Sequence, residues 1–485
     1  MSRSCAAVRP WVIAAVAAAA ATSTAACRSH APSRRDRCTR LLRGFAGAFT
    51  AGLAAALDDA DGAKTACLRD HGDDLEACLD PADATAYRAA MIAAVAQCEA
   101  WPEAALRCLE RFDDSPACEP AYAALQGLDY SPVRGAGPAP RWQLQVDGVE
   151  QLSDAVAAAG TLYASAEKTV VAIGDGAERW RRSLDDAPTL LAVVGGCLLT
   201  DADGLRCLDT ATGATRWTLP RGDGGGWLAA MSRGAGAVVV GDDGQWGELD
   251  PARCADDPAG CLRRHPPLPG GPDVASMTRS LVDLGDRWAY VGDDQLYLIG
   301  GDGAVSARLA VRGGGGFVTD GAATADGALI VGWADGIFRV TPAACAGADG
   351  ADERDAPPGC VTRIGDRDPE AADGYAPVPV ADGAIVGAGG ELRRWRAGAR
   401  VWAVDVGAAT PMIPGGDVVY VAGAGDLDGP AEVRAVAIAD GATAWRTQLT
   451  TLPRPGLLDV PQLVADDATL YVVLENAVAA LPRRP

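Results

Sequence analysis

From about residue 142 to the C-terminus the chain repeats one theme: an apolar strand, a Gly/Asp turn, a second apolar strand, a second glycine turn and a tryptophan. The fullest copy is Arg206-Cys-Leu-Asp-Thr-Ala-Thr-Gly-Ala-Thr-Arg-Trp217. The apolar strand recurs at Thr161-Leu-Tyr-Ala164, Cys197-Leu-Leu-Thr200, Ala237-Val-Val-Val240, Trp288-Ala-Tyr-Val291, Ala328-Leu-Ile-Val331, Gly383-Ala-Ile-Val386, Val418-Val-Tyr-Val421 and Thr469-Leu-Tyr-Val472. A period of roughly 35 to 40 residues, with longer steps where loops are inserted, marks a propeller or solenoid whose units bury their faces only against one another.

In four copies a glycine stands four positions before a tryptophan: Gly176/Trp180, Gly213/Trp217, Gly398/Trp402 and Gly441/Trp445. Glycine supplies the positive φ of a tight hairpin turn. A Trp a few residues on is wide enough to wedge against a neighbouring blade. An ordinary β-sandwich gives no reason for a fixed offset.

The stretch Cys207 to Trp217, with Asp209, Thr212, Gly213 and Trp217 in place, resembles the docking motif of PQQ-like β-propeller repeats; Ala435 to Trp445 is a weaker copy. The resemblance covers residues 142–485 and implies a mainly β fold. The superfamily holds both quinoprotein dehydrogenases and non-enzymatic scaffolds, including the propeller lipoprotein of outer-membrane protein assembly, so it speaks for fold more than function. The last copy ends without its tryptophan strand, and Arg141-Trp142-Gln-Leu-Gln-Val146 has that character. An N-terminal strand completing the last blade would close the ring without an open edge. Eight blades follow, with seven the alternative count because unit six is short.

Arg3 and Arg9 precede the apolar run from Trp11 to Ala20, then Thr24-Ala-Ala-Cys27. This reads as a secretion signal over 1–26, too short for a comfortable membrane span. Cys after two small residues resembles a bacterial lipobox, making Cys27 the lipidated N-terminus; ordinary cleavage near Ala26 is the alternative. Arg28, where Asp would imply inner-membrane retention, points to the outer membrane. A tether follows over 27–37.

Setting aside Cys5 and Cys27 leaves twelve of the 14 cysteines, an even number in a chain bound for an oxidising compartment, and disulfides are the default reading. Cys38, Cys67, Cys78, Cys98, Cys108 and Cys118 fall in a block, 38–126, that reads as helices. Cys38, Leu42, Phe45, Phe49, Leu53 and Leu57 form one stripe. Asp80-Pro81, Pro102 and Ser115-Pro116 open further helices, the one after Pro102 turning Ala105, Cys108, Leu109 and Phe112 inward. The cysteines should staple neighbouring helices of a small bundle, with connectivity open. Residues 127–141, rich in Pro and Gly, read as a linker that holds neither helix nor paired strand.

In the propeller, Cys197 and Cys207 are equidistant from the Asp201-Ala-Asp-Gly204 turn and should face each other across a hairpin. Cys254 with Cys261, and Cys345 with Cys360, each follow a strand and a Pro and bracket a polar loop, clamping its base. Such a closure stabilises by about 2 to 3 kcal/mol in the chain-entropy view. Neither pair has the close spacing of a redox dithiol.

Little chemistry is encoded. A net charge of -21 argues against nucleic acid, which needs a basic footprint, and leaves lipid as the membrane attachment. Of three histidines only His265 lies in the repeat region, with no nucleophile beside it. The glycine runs 222–226 and 312–316 lack the context of a phosphate loop. Asp201/Asp203 and Asp426/Asp428 lack calcium-loop spacing. Quinoproteins typically carry adjacent cysteines near their cofactor, and none are adjacent here.

The sequence therefore reads as a lipid-anchored envelope protein: a disulfide-stapled helical module and an eight-bladed PQQ-like propeller, with no cofactor, metal or catalytic set. It acts as a scaffold for envelope proteins. The clamped loops are the candidate contact surface, or serve only against proteolysis. The alternative is a quinoprotein-like enzyme or small-ligand receptor using the central channel.

Overall fold

The computed structural model describes residues 33–43, 88, 91–111 without 93 and 97, 118, and 133–483 apart from 221–225, 242, 259, 270–279, 293–294, 311–318, 334–335, 353, 367–376, 389, 407–410, 425–429 and 454–460. The chain divides into two compact units, Met1–Tyr130 and Ser131–Pro485.

In the first unit a helix covers 34–43, beginning before Cys38. The start is fixed by a capping pair that the apolar stripe could not reveal: Asp36 N donates to Ser33 Oγ at 3.2 Å, and Ser33 N donates back to Asp36 Oδ2 at 3.2 Å. Cys38 is bonded to Cys98 and Cys108 to Cys118. Cys67, Cys78 and the helix starts expected at Asp80 and Ser115 lie outside the described residues. On the helix Glu103–Arg111 the buried residues are Ala105, Leu106 and Leu109. Ala105 and Leu109 face inward as expected; Leu106 joins them, three residues before Leu109, and Cys108 at the edge of this face is half-buried.

The second unit is a ring of eight sheets. Blades one to seven span 155–183, 189–219, 227–264, 280–310, 319–366, 378–405 and 413–448. Blade eight takes three strands from 462–482 and its outer strand, Trp142–Gln145, from the start of the unit. Trp142 pairs with Ala480 and Gln145 with Ala477, closing the ring at eight.

The strand that announces each repeat is the second of its blade. Thr161–Ala166, for example, lies between Ala155–Ala158 and Thr169–Gly174 and is buried throughout. Burial on both faces makes these strands continuous apolar runs. Three of the innermost strands, Ala155–Ala158, Val378–Val380 and Ile413–Pro414, are short and rich in Ala, Val and Pro, and sequence periodicity passes over them.

Two local expectations change. Residues 133–141 are not a free spacer: Ala136 forms a parallel bridge to Arg446, Gly137 N donates to Arg446 O at 2.9 Å, and Thr447 Oγ1 donates to Pro138 O at 2.9 Å. Prolines can flank such a bridge because the residue between supplies the donor. In the blade-two hairpin Cys207 sits opposite Leu199 and Cys197 opposite Asp209, because the turn is centred at Asp203. The bonded pair Cys197–Cys207 is thus diagonal across the strands, with Cα atoms 5.3 Å apart.

Candidate functional site

The residues singled out by the repeat meet at the joints between blades. Gly213, in the third turn of blade two, has φ +70°, and a Cβ there would lie 2.6 Å from Cε3 of Trp180 on the outer strand of blade one. The indole lies flat on this bare backbone and its Nε1 donates to Thr210 O at 2.9 Å. Asp209 holds the turn in shape: Oδ1 accepts from Ala211 N (3.0 Å), Thr212 N (2.9 Å) and Thr212 Oγ1 (2.9 Å), and Oδ2 accepts from Arg216 Nε (2.8 Å). The Arg216 guanidinium, then the Thr212 hydroxyl, hold the Asp209 carboxyl below its usual range. The Asp, Thr and Gly of the motif are one device that offers the preceding Trp a flat surface and a carbonyl.

The same contact recurs with substitutions. Trp402 of blade six lies on Gly441 of blade seven and donates from Nε1 to Ile438 O at 3.1 Å. Trp445 of blade seven lies on Gly137 of the incoming N-terminal segment, and Trp142 of blade eight against Gly176 of blade one. Trp217 of blade two donates from Nε1 to Pro251 O at 3.0 Å, at the edge of the first clamped loop.

Three joints depart from it. Between blades three and four His265 takes the tryptophan's place, and a Cβ on Gly303 would overlap its imidazole. Between four and five the outer strand carries Ala307, four residues after Gly303; a short strand, Asp349–Ala351, pairs in parallel with Val305–Ala310 instead. Between five and six the direction reverses. Trp395 of blade six lies on Gly365 of blade five, and Gly398 has no atom within 4 Å of where its Cβ would stand.

Both clamped loops are part of this system. Cys254 and Cys261 are bonded and pack in one apolar cluster with Trp217; Cys345 and Cys360 are bonded and pack with Ala307, Leu309 and Ala348. Each loop lies on the outer strand of the preceding blade, where a two-residue turn would leave that blade's flank open. Their far sides, at Asp256 and Pro258 and at Arg354 and Asp355, are exposed.

Of the inner strands, Ala155–Ala158, Val378–Val380 and Ile413–Pro414 carry no ionisable side chain, whereas Trp227–Arg233 and Ser280–Asp283 end in Arg233 and Asp283. Among the described residues no group of three or more His, Cys, Asp or Glu is placed to hold a metal ion. A groove of about 350 Å³ is lined by Glu150, Gln151, Ser153, Glu167 and Glu475, contributed by blades eight and one and the segment joining them. Sequence reasoning missed His265, Gly137, Trp395 and Gly365 as joint residues. Only Gly303 carried a signal, keeping the turn and the four-residue offset without the Trp.

This arrangement defines the chain as an eight-bladed PQQ-like β-propeller. It resembles the outer membrane protein assembly factor BamB, whose family model matches residues 136–332. The crystal structure of BamB from Moraxella catarrhalis superposes with a TM-score of 0.50 at 16% identity, covering 71% of this chain and 97% of that one. The computationally designed Ika8 protein gives 0.50 at 15% identity, covering 70% and 98%. These likenesses are of fold. No curated protein sequence matches the chain.

Proposed function

We propose that this protein is a non-enzymatic scaffold of the bacterial cell envelope whose propeller holds protein partners. The observation that carries the reading is how the ring's distinctive residues are used. The Trp, Gly, Asp and Cys of the repeats hold one blade to the next. Similarity to a family described as an assembly factor supports the same class of role. Residues 1–26 are the export signal, Cys27 the lipid attachment to the outer membrane, 38–126 a helical module and 142–485 the propeller, as the sequence reads. The disulfide-clamped loops offer their exposed sides as contact surface, since rigid loops lose less entropy on binding.

Photo-crosslinkers at Asp256 and Asp355 in intact cells test this. Reproducible capture of envelope proteins from both positions is expected. Crosslinks to none, under conditions that trap a known envelope complex, would overturn the scaffold reading and direct attention to ligands of the channel and the acidic groove. Incorporation of a labelled fatty acid, abolished in Cys27→Ala, tests the anchor separately.

A further inference from the structure

His265 is held as the joint tryptophans are, with one difference in chemistry. Its ring stacks on Trp246 at 4.0 Å with an interplanar angle of 3°, and its other side meets Gly303 of blade four. The backbone fixes it there: His265 N donates to Trp246 O at 3.1 Å, Trp246 Nε1 donates to Pro266 O at 3.0 Å, and Leu268 N donates to Gly244 O at 2.9 Å. The side chain is 11% exposed, and Nε2 is buried without a hydrogen bond. An indole in this position has no basic nitrogen. An imidazole has one.

We propose that the joint between blades three and four is a pH-sensitive seam, which loosens when His265 takes up a proton at Nε2.

The groups facing the ring decide the sign. From blade three Glu248 Oε1 stands 3.7 Å from Nε2, beyond hydrogen-bond reach, and Glu248 is itself paired with Arg263. From the blade-four turn the charged residue is Asp302, whose Oδ1 already accepts from Ala304 N at 3.0 Å, while Arg233 reaches the same turn beside Gly301. Burial, the largest influence, pushes the imidazole's pKa down; Glu248 pulls it up and Arg263 pushes it down again, leaving it lowered. The packed state therefore favours the neutral ring. The stability this gives is complete above the unfolded pKa of about 6.5 and is lost as pH falls through the lowered folded value. A charged ring satisfies itself by closing on Glu248 or by reaching water, and either movement takes it off Gly303. His265 is the only histidine in residues 142–485, so the other joints hold no imidazole to take up a proton.

Amide hydrogen exchange on the full chain, corrected for intrinsic pH dependence, tests this at pH 7.5 and 5.0. Protection in Leu262–Arg264 and Val305–Ala310 should fall at least about threefold at the lower pH while Val418–Ala424 is unchanged. His265→Trp, which restores the residue used at other joints, and His265→Gln should each abolish the difference. Equal protection at both pH values, or a drop that persists in either variant, would overturn the proposal. If both variants fail to fold, the ring resonances of His265 in the wild-type chain, assigned against His30→Gln and His71→Gln, decide it. Titration at or above the ordinary histidine value would overturn it, and titration below that value supports it.

Discussion

Trp395 of blade six rests its indole on Gly365 of blade five, so that a Cβ on the glycine would come within 2.5 Å of the ring. At the other Trp-Gly joints the earlier blade gives the tryptophan and the later one the glycine. Here the roles are exchanged, and the glycine that the repeat pattern nominates, Gly398, lies under no ring and instead donates its N–H to Ile364 O of blade five at 3.0 Å.

Two alanine substitutions separate contact from conformation. Gly365→Ala should destabilise by about 1 to 3 kcal/mol through overpacking, and combining it with Trp395→Leu should recover part of the loss. Gly398→Ala, at φ +82° in open space, should cost only the left-handed conformation, about 1 to 2 kcal/mol, with no recovery from the second change. Urea unfolding of the four variants reads the difference.

At the joints with a donated indole N–H, replacing the indole by a phenyl ring is informative. Trp180→Phe removes the shorter of the two hydrogen bonds that the Thr210 carbonyl accepts, the other coming from the Tyr163 hydroxyl at 3.3 Å, and shrinks the ring; a loss of roughly 1 to 3 kcal/mol in unfolding free energy is expected.

The clamps should behave as joint components. Replacing Cys254 and Cys261 together by alanine removes a crosslink of sequence separation 7 and should lower stability by about 2 to 3 kcal/mol. Because Cys254 packs with Trp217, the same change should expose that indole and increase quenching of its fluorescence by iodide. Loss of stability with unchanged quenching would separate the clamp from the joint.

Below the histidine range, acid should act through the motif carboxylates. Asp209 is held below its usual range by Arg216 and Asp440 by the Ala442 amide and then Arg134, so each favours folding fully above about pH 4, the unfolded carboxylate range, and progressively less as pH falls through its lowered folded value. Asp209→Asn should flatten the decline in thermal midpoint measured between pH 5 and pH 2.

The exposed ion pair Arg134–Asp440 should matter little, with Arg134→Ala costing under about 1 kcal/mol. Gly137→Ala, beneath Trp445, should cost more, and comparing the two by thermal unfolding tests which contact seats the N-terminal segment.

The repeat made most of this architecture legible. Eight apolar strands, each buried on both faces, could be counted directly, and the orphan strand at Trp142 implied the closure that its pairing with Ala480 provides. Innermost strands such as Ala155–Ala158 and Val378–Val380 escaped because three or four residues of Ala, Val and Pro leave no periodic signal. Joint partners escaped for another reason. The glycine under a tryptophan belongs to the next blade, about one repeat away, so proximity in sequence linked Gly213 to Trp217 when its contact is Trp180. Nothing local marked His265, because the ring it stacks on and the glycine beneath it are set by two turns that only the fold brings together.

The pairing of Trp142–Gln145 with Ala477–Pro482 also fixes an order of events in the making of the protein. The first strand of the ring finds its partner only once the last has been made, and blade one lacks a neighbour on one flank until then. A contact of such sequence separation forms late and slowly. The blades in between are built from local hairpins, so the ring is closed by a step that comes after most of its parts are formed.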